Sequence, residues 1–224
     1  FRRVLDEPGL ERCVAGIVLQ AYLPDSFAVQ RSLTAWARQR VKTGGAPIRL
    51  RVVKGANLAM EQVEASLHGW PQAPYRDKVD VDASFKRMVD FGCQAVHADA
   101  VHLGVASHNV FDLAYGLVAR AVAGVGASVG FEMLEGMAEP TRRVVQAIAG
   151  GMLVYAPAVE AAEVQSAIAY LIRRLDENTS PDNFLRHAFD LRPGGPRWVD
   201  QEQRFLEACA RIPTVSQAPR RTQD

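Results

Sequence analysis

Ala100-Val-His-Leu-Gly-Val105, followed by Ser107-His108-Asn109 and then by a stretch with Phe111, Ala114, Leu117, Val118 and Ala121 along one side, is the part of the sequence that decides the fold. A short apolar, β-branched run reads as a buried strand, and the 3.6-residue spacing after it reads as a helix. The same unit recurs on both sides. Gly16-Ile-Val-Leu-Gln-Ala-Tyr22 precedes a helix with Val29, Leu33, Trp36 and Val41 on its apolar side. Ile48-Arg-Leu-Arg-Val-Val53 ends in Lys54-Gly55-Ala56. A long connection containing Trp70-Pro71 and Pro74-Tyr75 then leads to a helix of about 10 residues ending near Phe91-Gly92. Val129-Gly-Phe-Glu-Met-Leu134 and Met152-Leu-Val-Tyr155 supply a fourth and a fifth strand.

Strands alternating with helices predict an α/β fold with a parallel sheet. The polar residues gather where the strands end: Gln20, Arg51 with Lys54, Ser107 to Asn109, Glu132 with Glu135, and Tyr155. That placement is the habit of a (β/α)8 barrel, whose reactive groups sit at the C-terminal ends of its eight strands. An open doubly wound sheet is the alternative, but it normally carries a Gly-rich phosphate loop, and the chain has no G-x-G-x-x-G. The expectation is a TIM-like barrel of which this chain covers about the last five β/α units. Phe1-Arg-Arg-Val-Leu reads as the middle of an amphipathic helix without an N-cap, which predicts a chain cut from something longer. Residues 1–190 are assigned to the barrel portion and 191–224 to a linker.

The composition of the 224 residues, 48% hydrophobic and 23% charged, suits a soluble domain with a sizeable core. A net charge of +1 gives no general electrostatic footprint for nucleic acid. Cys13, Cys93 and Cys209 are odd in number and far apart, which fits reduced thiols better than a disulfide framework or a metal site, so no metal is expected. With no membrane-length apolar run and no signal-peptide pattern, the cytoplasm is the expected compartment.

Tyr170-Leu-Ile-Arg173-Arg174-Leu-Asp-Glu177 carries the most selective chemistry. At roughly 100° per residue, Tyr170, Arg173, Arg174 and Glu177 share one face, while Val164, Ile168, Leu171, Ile172 and Leu175 share the other, read as a core face. Two guanidinium forks beside a tyrosine ring suit a small anion with an apolar body. The plainer reading is a solvated face with an ordinary Arg/Glu pair.

Six motifs in order carry a resemblance. Gly16 to Tyr22, Arg51-Val-Val-Lys54-Gly55-Ala56, Ala106-Ser107-His108-Asn109, Phe131-Glu-Met-Leu134-Glu-Gly136-Met137, Val154-Tyr155-Ala156-Pro157 and Tyr170 to Glu177 follow the pattern of flavin-dependent proline dehydrogenases. Residues 16–177 resemble the last five strands of that barrel. Leu191-Arg-Pro-Gly and the stretch from Thr214 to Asp224 resemble the connection into the aldehyde dehydrogenase half of bifunctional proline-utilisation enzymes.

The resemblance implies oxidation of L-proline to 1-pyrroline-5-carboxylate on FAD, with electrons passed to quinone. It further implies a parent carrying a covalently linked, NAD-dependent aldehyde dehydrogenase domain, cytoplasmic with peripheral association at the inner face of the membrane. Gln20, Arg51, Val53, Gly55, Ala56, Ser107, His108, Asn109, Leu134 and Glu177 then fall at cofactor-binding positions. Leu134, Tyr155 and Tyr170 fall around the proline ring, and Arg173 and Arg174 at its carboxylate. Ser107 stands where the family carries Thr and keeps the hydroxyl; Asn57 stands where some relatives carry Tyr. The family's active-site Lys and Asp come from earlier strands, so no catalytic residue is assignable within this chain. Two readings from the residues alone stay open: an ion pair of Arg51 with Glu132 in the barrel core, and Lys54 as the Schiff-base nucleophile of a barrel lyase. A non-catalytic scaffold or regulatory segment is the reading from another class.

Overall fold

The computed structural model describes residues 1–55, 57–179, 183–188 and 190–222, with the backbone alone for Asp176 and Glu177. Its elements run α1 (Arg2–Leu5), β1 (Gly16–Gln20), α2 (Ser26–Lys42), β2 (Ile48–Val53), α3 (Leu58–His68), α4 (Lys78–Gly92), β3 (Val101–Ala106), α5 (Val110–Val122), β4 (Val129–Leu134), α6 (Glu139–Ala149), β5 (Leu153–Tyr155), α7 (Val164–Thr179), α8 (Leu185–Ala188) and α9 (Pro196–Arg211). The five strands form one parallel sheet in the order of the chain. Sequential parallel order with a helical crossover after each strand is the arrangement of a β/α barrel wall, as expected.

Alternation along the strands separates core from site. Ile48, Leu50 and Val52, Leu103 and Val105, and Val129, Phe131 and Met133 are buried with Leu33 of α2, Phe85, Met88 and Val89 of α4, Leu113 of α5 and Val145 of α6. Each such large side chain contributes roughly 1.5–3 kcal/mol on leaving water. The intervening residues, among them Gln20, Arg51, Val53, Ala106 and Leu134, line a cleft on the sheet's other face.

Helix faces depart from expectation in two places. On α5 the buried residues are Asp112, Leu113 and Gly116, whereas Ala114, Val118 and Ala121 are exposed. Two lysine ammonium groups seek the Asp112 carboxylate, and that ionic contact turns the helix away from its most apolar face. On α7 the expected core face is exposed as well, with Ile168 at 50% and Leu175 at 60%. This helix follows the outer strand β5 and packs chiefly on α8 and the preceding 3-10 turn, so no layer of the described residues covers that face.

The long connection after β2 contains a helix the sequence reading left out, α3, ended by Gly69 in the left-handed region. Helix α4 has 15 residues and is capped by the preceding Asp77, whose carboxylate accepts the Val79 N–H (2.9 Å). Within the segment 191–224, assigned to a linker, α9 is a helix of 16 residues packed on α4. The three cysteines are unpaired. Among the described residues no helix is long and apolar enough to cross a membrane, and no cluster of His, Cys, Asp or Glu could hold a metal ion.

The chain before β1 is pinned to α2 by one side chain. The buried Arg40 guanidinium donates to the carbonyls of Leu5 (2.7 Å), Leu10 (2.6 Å), Glu11 (2.7 Å) and Ala46 (3.1 Å). Arg40→Ala strands these acceptors and is expected to lower the unfolding free energy by about 2–4 kcal/mol, and Arg40→Lys to recover less than half of it, since one ammonium cannot span the fork. Urea unfolding of the three proteins measures both.

Candidate functional site

A cleft of about 980 Å³ opens at the C-terminal ends of the strands. It lies at the upper end of the roughly 300–1,000 Å³ typical of ligand sites, room enough for a large cofactor beside a small substrate. Gln20, Arg51, Val53, Gly55, Ser107, His108, Asn109, Leu134 and Tyr155 line it from the strand ends, and Tyr170 and Arg174 from α7. The structure therefore brings together eleven of the fourteen residues singled out in the sequence. Arg173 is exposed outside the cleft, its guanidinium against Met60 Sδ at 3.8 Å. Ala56 and the Glu177 side chain lie outside the described residues.

Arg51 is held in place before any ligand arrives. Its Nε donates to Glu132, and its guanidinium lies 4.3 Å from the centre of the Tyr155 ring. The ion pair read as an alternative from the sequence is thus formed, and it crosses β3 to join β2 to β4. The crossing depends on Gly104, because a Cβ there would land on the Glu132 carboxylate. Gly55 is constrained twice: its φ of 131° lies outside the range of ordinary residues, and a Cβ would come within 2.5 Å of the Tyr22 ring.

The Ser107 to Asn109 loop is fixed by its own hydrogen bonds. Asn109 Oδ1 accepts the Phe111 N–H (2.9 Å) and caps α5, which leaves its NH2 outside the cap. Ser107 Oγ accepts the Asn109 N–H (3.1 Å) and donates to Asp112 Oδ2 (3.1 Å). Between them His108 receives the Leu134 N–H at Nε2 (3.4 Å), so the ring's own proton sits on Nδ1. Burial pushes the His108 pKa below the ordinary imidazole value, and the ring is a neutral donor in the physiological range. Burial likewise pushes the Tyr155 phenol up, with Tyr170 adding to it.

Beneath that loop runs a chain of charges that the sequence reading missed. Lys78 meets Asp82 (2.5 Å), Asp82 meets Lys54 (2.6 Å), Lys54 meets Asp112 (2.5 Å), and Asp112 meets Lys86 (3.0 Å). Lys86 and Asp112 are each 1% exposed, and the Lys86 ammonium also lies 4.8 Å from the Phe205 ring of α9. Lys78, Asp82 and Lys86 recur every fourth residue on α4, a spacing legible in the sequence.

Burial works against the Lys54 ammonium, but Asp112 and Asp82 outweigh it and hold the pKa above the ordinary lysine value. Burial also opposes the Asp112 charge, and Lys54 and Lys86 reverse that, holding the carboxyl below its usual range. A Schiff-base nucleophile has to be an unprotonated amine. Lys54, a cleft-lining residue locked between two carboxylates, is the opposite case, which speaks against the Schiff-base reading.

Arg174 lies over the Tyr170 ring (5.2 Å) and donates to Asn57 Oδ1 (3.4 Å), so the rim of α7 meets the connection after β2. Helix α9 closes the far wall with Gln201, Arg204 and Phe205. Polar composition hid that contribution from the sequence.

The proline dehydrogenase family model matches residues 1–187. Hydroxyproline dehydrogenase of Homo sapiens is 29% identical over 200 residues, a match covering 87% of this chain and 40% of the human protein. Its Xenopus laevis counterpart is 28% identical over 177 residues, covering 77% of this chain and 36% of the frog protein. Among solved structures, proline utilization A of Corynebacterium freiburgense matches with a TM-score of 0.86 and 40% identity, over 100% of this chain and 21% of that one. Proline utilization A of Bdellovibrio bacteriovorus, inactivated by N-propargylglycine, gives a TM-score of 0.75 and 35% identity, over 84% and 19%. The chain spans about two fifths of the curated relatives and about a fifth of the solved ones.

Two outcomes follow from the geometry. Gly104→Ala is expected to cost about 1–3 kcal/mol by driving Glu132 off Arg51, and the cost should shrink in a Glu132→Ala background, a coupling that a double-mutant cycle in urea measures. His108 has a folded pKa below 6.5, so its contribution to stability is full above that pH and declines as pH falls toward the folded value. NMR titration should find the ring titrating below the ordinary imidazole value, with the neutral form's proton on Nδ1.

Proposed function

Because the chain belongs to the proline dehydrogenase family, we propose that it builds the cofactor and substrate seat of an enzyme that oxidises L-proline to 1-pyrroline-5-carboxylate with FAD. The observation that carries this reading is the meeting of two chemistries in one cleft. Hydrogen-bonding strand ends, Gln20, Arg51 and Ser107 to Asn109, face Leu134, Tyr155, Tyr170 and the Arg174 cation. An apolar wall with one guanidinium suits a compact ring bearing a carboxylate. The donor-rich wall suits the polar edge of a flavin, and Gly55, whose Cβ position is taken by the Tyr22 ring, lines the same wall.

FAD, when bound, supplies the two-electron acceptor; the rest is the work of the chain. Arg51, oriented by Glu132 and Tyr155, holds a cation at the cofactor wall without searching for a rotamer. His108 offers Nδ1–H, and Ser107 and Asn109 keep the loop that carries it in one conformation. Val53 and Gly55 line the same wall, the family resemblance adds Ala56 as a cofactor contact, and Glu177 falls on the same helix as the carboxylate-binding residues. Arg174 binds the proline carboxylate with Arg173 in support, while Leu134, Tyr155 and Tyr170 keep water from the ring. In the overall reaction a C5–H bond of proline breaks, its electron pair leaves as hydride, the amine gives up a proton and a C=N bond forms.

Quinone as the final acceptor, peripheral docking of a cytoplasmic parent on the membrane, and an NAD-dependent aldehyde dehydrogenase joined through residues 191–224 complete the proposal. The joined aldehyde dehydrogenase is supported by the similarity to proline utilization A; quinone, NAD and the membrane are what the family resemblance implies.

The complete protein, purified with its cofactor, should show a flavin absorption band that bleaches anaerobically with L-proline. Arg174→Ala should raise KM about 10- to 100-fold with kcat nearly unchanged, because the carboxylate is charged in ground and transition states alike. Arg173→Ala should raise it less, given the exposed position of Arg173. Bleaching by trans-4-hydroxy-L-proline in place of proline would move the substrate to the one for which the human and frog relatives are named. A folded, colourless protein that takes up no FAD would overturn the reading in favour of a scaffold.

A further inference from the structure

We propose that residues 212–221 form a strap that positions Gly55 and Arg76 in the cleft, with Val215 and Tyr75 as the positioning residues. The inference rests on the cleft being a cofactor seat, and it gives the chain beyond α9 a task in that site.

The strap is bound along its length. Arg87 of α4 donates from Nε to the Ile212 carbonyl (2.9 Å) and from Nη1 to the Val215 carbonyl (2.8 Å). The Val215 side chain is buried with Tyr22, Tyr75, Val81 and Ala83, a small core separate from that under the sheet. The Tyr75 hydroxyl donates to the Ser216 carbonyl, and the Arg220 guanidinium to the Pro74 carbonyl. Arg221 lies over the Trp70 ring (5.0 Å) and faces Glu61 of α3 (3.9 Å). Ten residues thus tie α4, the connection before it and α3 to one another.

From this strap a continuous path leads into the cleft. Tyr75 N–H donates to the Tyr22 carbonyl (2.8 Å), and Tyr22 N–H donates to the Lys54 carbonyl (2.7 Å). The Tyr22 ring lies flush against Gly55, within 2.5 Å of where a Cβ would stand. Val215 presses on the tyrosine pair, the pair backs Gly55, and Arg76, next to Tyr75, opens into the cleft. Packed side chains have discrete arrangements rather than continuous play, so loss of Val215 would be felt at Gly55.

The test uses the complete protein carrying Val215→Asp, which puts a carboxylate among the tyrosines, and Val215→Ile as the conservative control. Two readouts are taken: hydrogen exchange at the Tyr22 and Tyr75 amides without added ligand, and the FAD dissociation constant by titration. Val215→Asp should speed exchange at both amides and weaken FAD binding by about tenfold each, leave the β3 and β4 amides at wild-type rates, and Val215→Ile should match wild type. Should Val215→Asp fail to fold, Tyr75→Phe with Arg221→Ala loosens the strap without burying a charge and should give about a threefold change in both readouts. Faster exchange confined to residues 212–221, with the Tyr22 and Tyr75 amides and the FAD constant unmoved, would overturn the proposal. If the wild-type protein takes up no FAD, the cofactor reading fails by itself, and exchange at the two amides still decides whether the strap holds the turn.

Discussion

The structure turns on the buried meeting of Lys54 and Lys86 at Asp112. Lys54 follows β2, Lys86 belongs to α4 and Asp112 to the first turn of α5, so three successive units are joined at one carboxylate. Such an arrangement is poor value as pure stabilisation, since an apolar cluster of equal volume does as well, while loss of one partner costs roughly 3–5 kcal/mol. What the ions provide is placement. The carboxylate also accepts the Ser107 hydroxyl, Ser107 accepts the Asn109 N–H, and Asn109 caps the helix that carries Asp112. The loop with His108 is thereby fixed from below, and the turn at Gly55 is anchored by the lysine before it.

The strand pattern was legible because the strands read as short runs rich in apolar and β-branched residues, and β2 and β4 have the limits that their residues predict. The site was legible for a related reason. Arg51 interrupts such a run where it lines the cleft, and Glu132 interrupts another as its ionic partner.

Three features escaped, each through competition between local pattern and tertiary contact. On α5 the attraction of two lysines for Asp112 overrode the apolar stripe. On α7 the stripe exists, but no layer of the described residues lies against it. Helix α9 is polar because it docks through Arg211 to Asp77 (2.7 Å) and Asp80 (3.0 Å) and through a few aromatic contacts such as Phe205 with Phe111 (ring centres 5.7 Å apart). Arg173 and Arg174 stand next to each other in sequence, yet a 100° step on the helix sends one to the cleft and the other to Met60.

The pairing of Arg51 with Glu132 has a bearing on how the cleft receives any anion. The guanidinium already possesses a counter-ion and an aromatic neighbour, so an arriving negative group exchanges one ion pair for another instead of neutralising a bare charge. Most of the Coulomb energy cancels in such an exchange, and little is left for attraction at a distance. Recognition at that wall is then a matter of fit, decided by whether the newcomer can share the fork with a carboxylate that never leaves the protein.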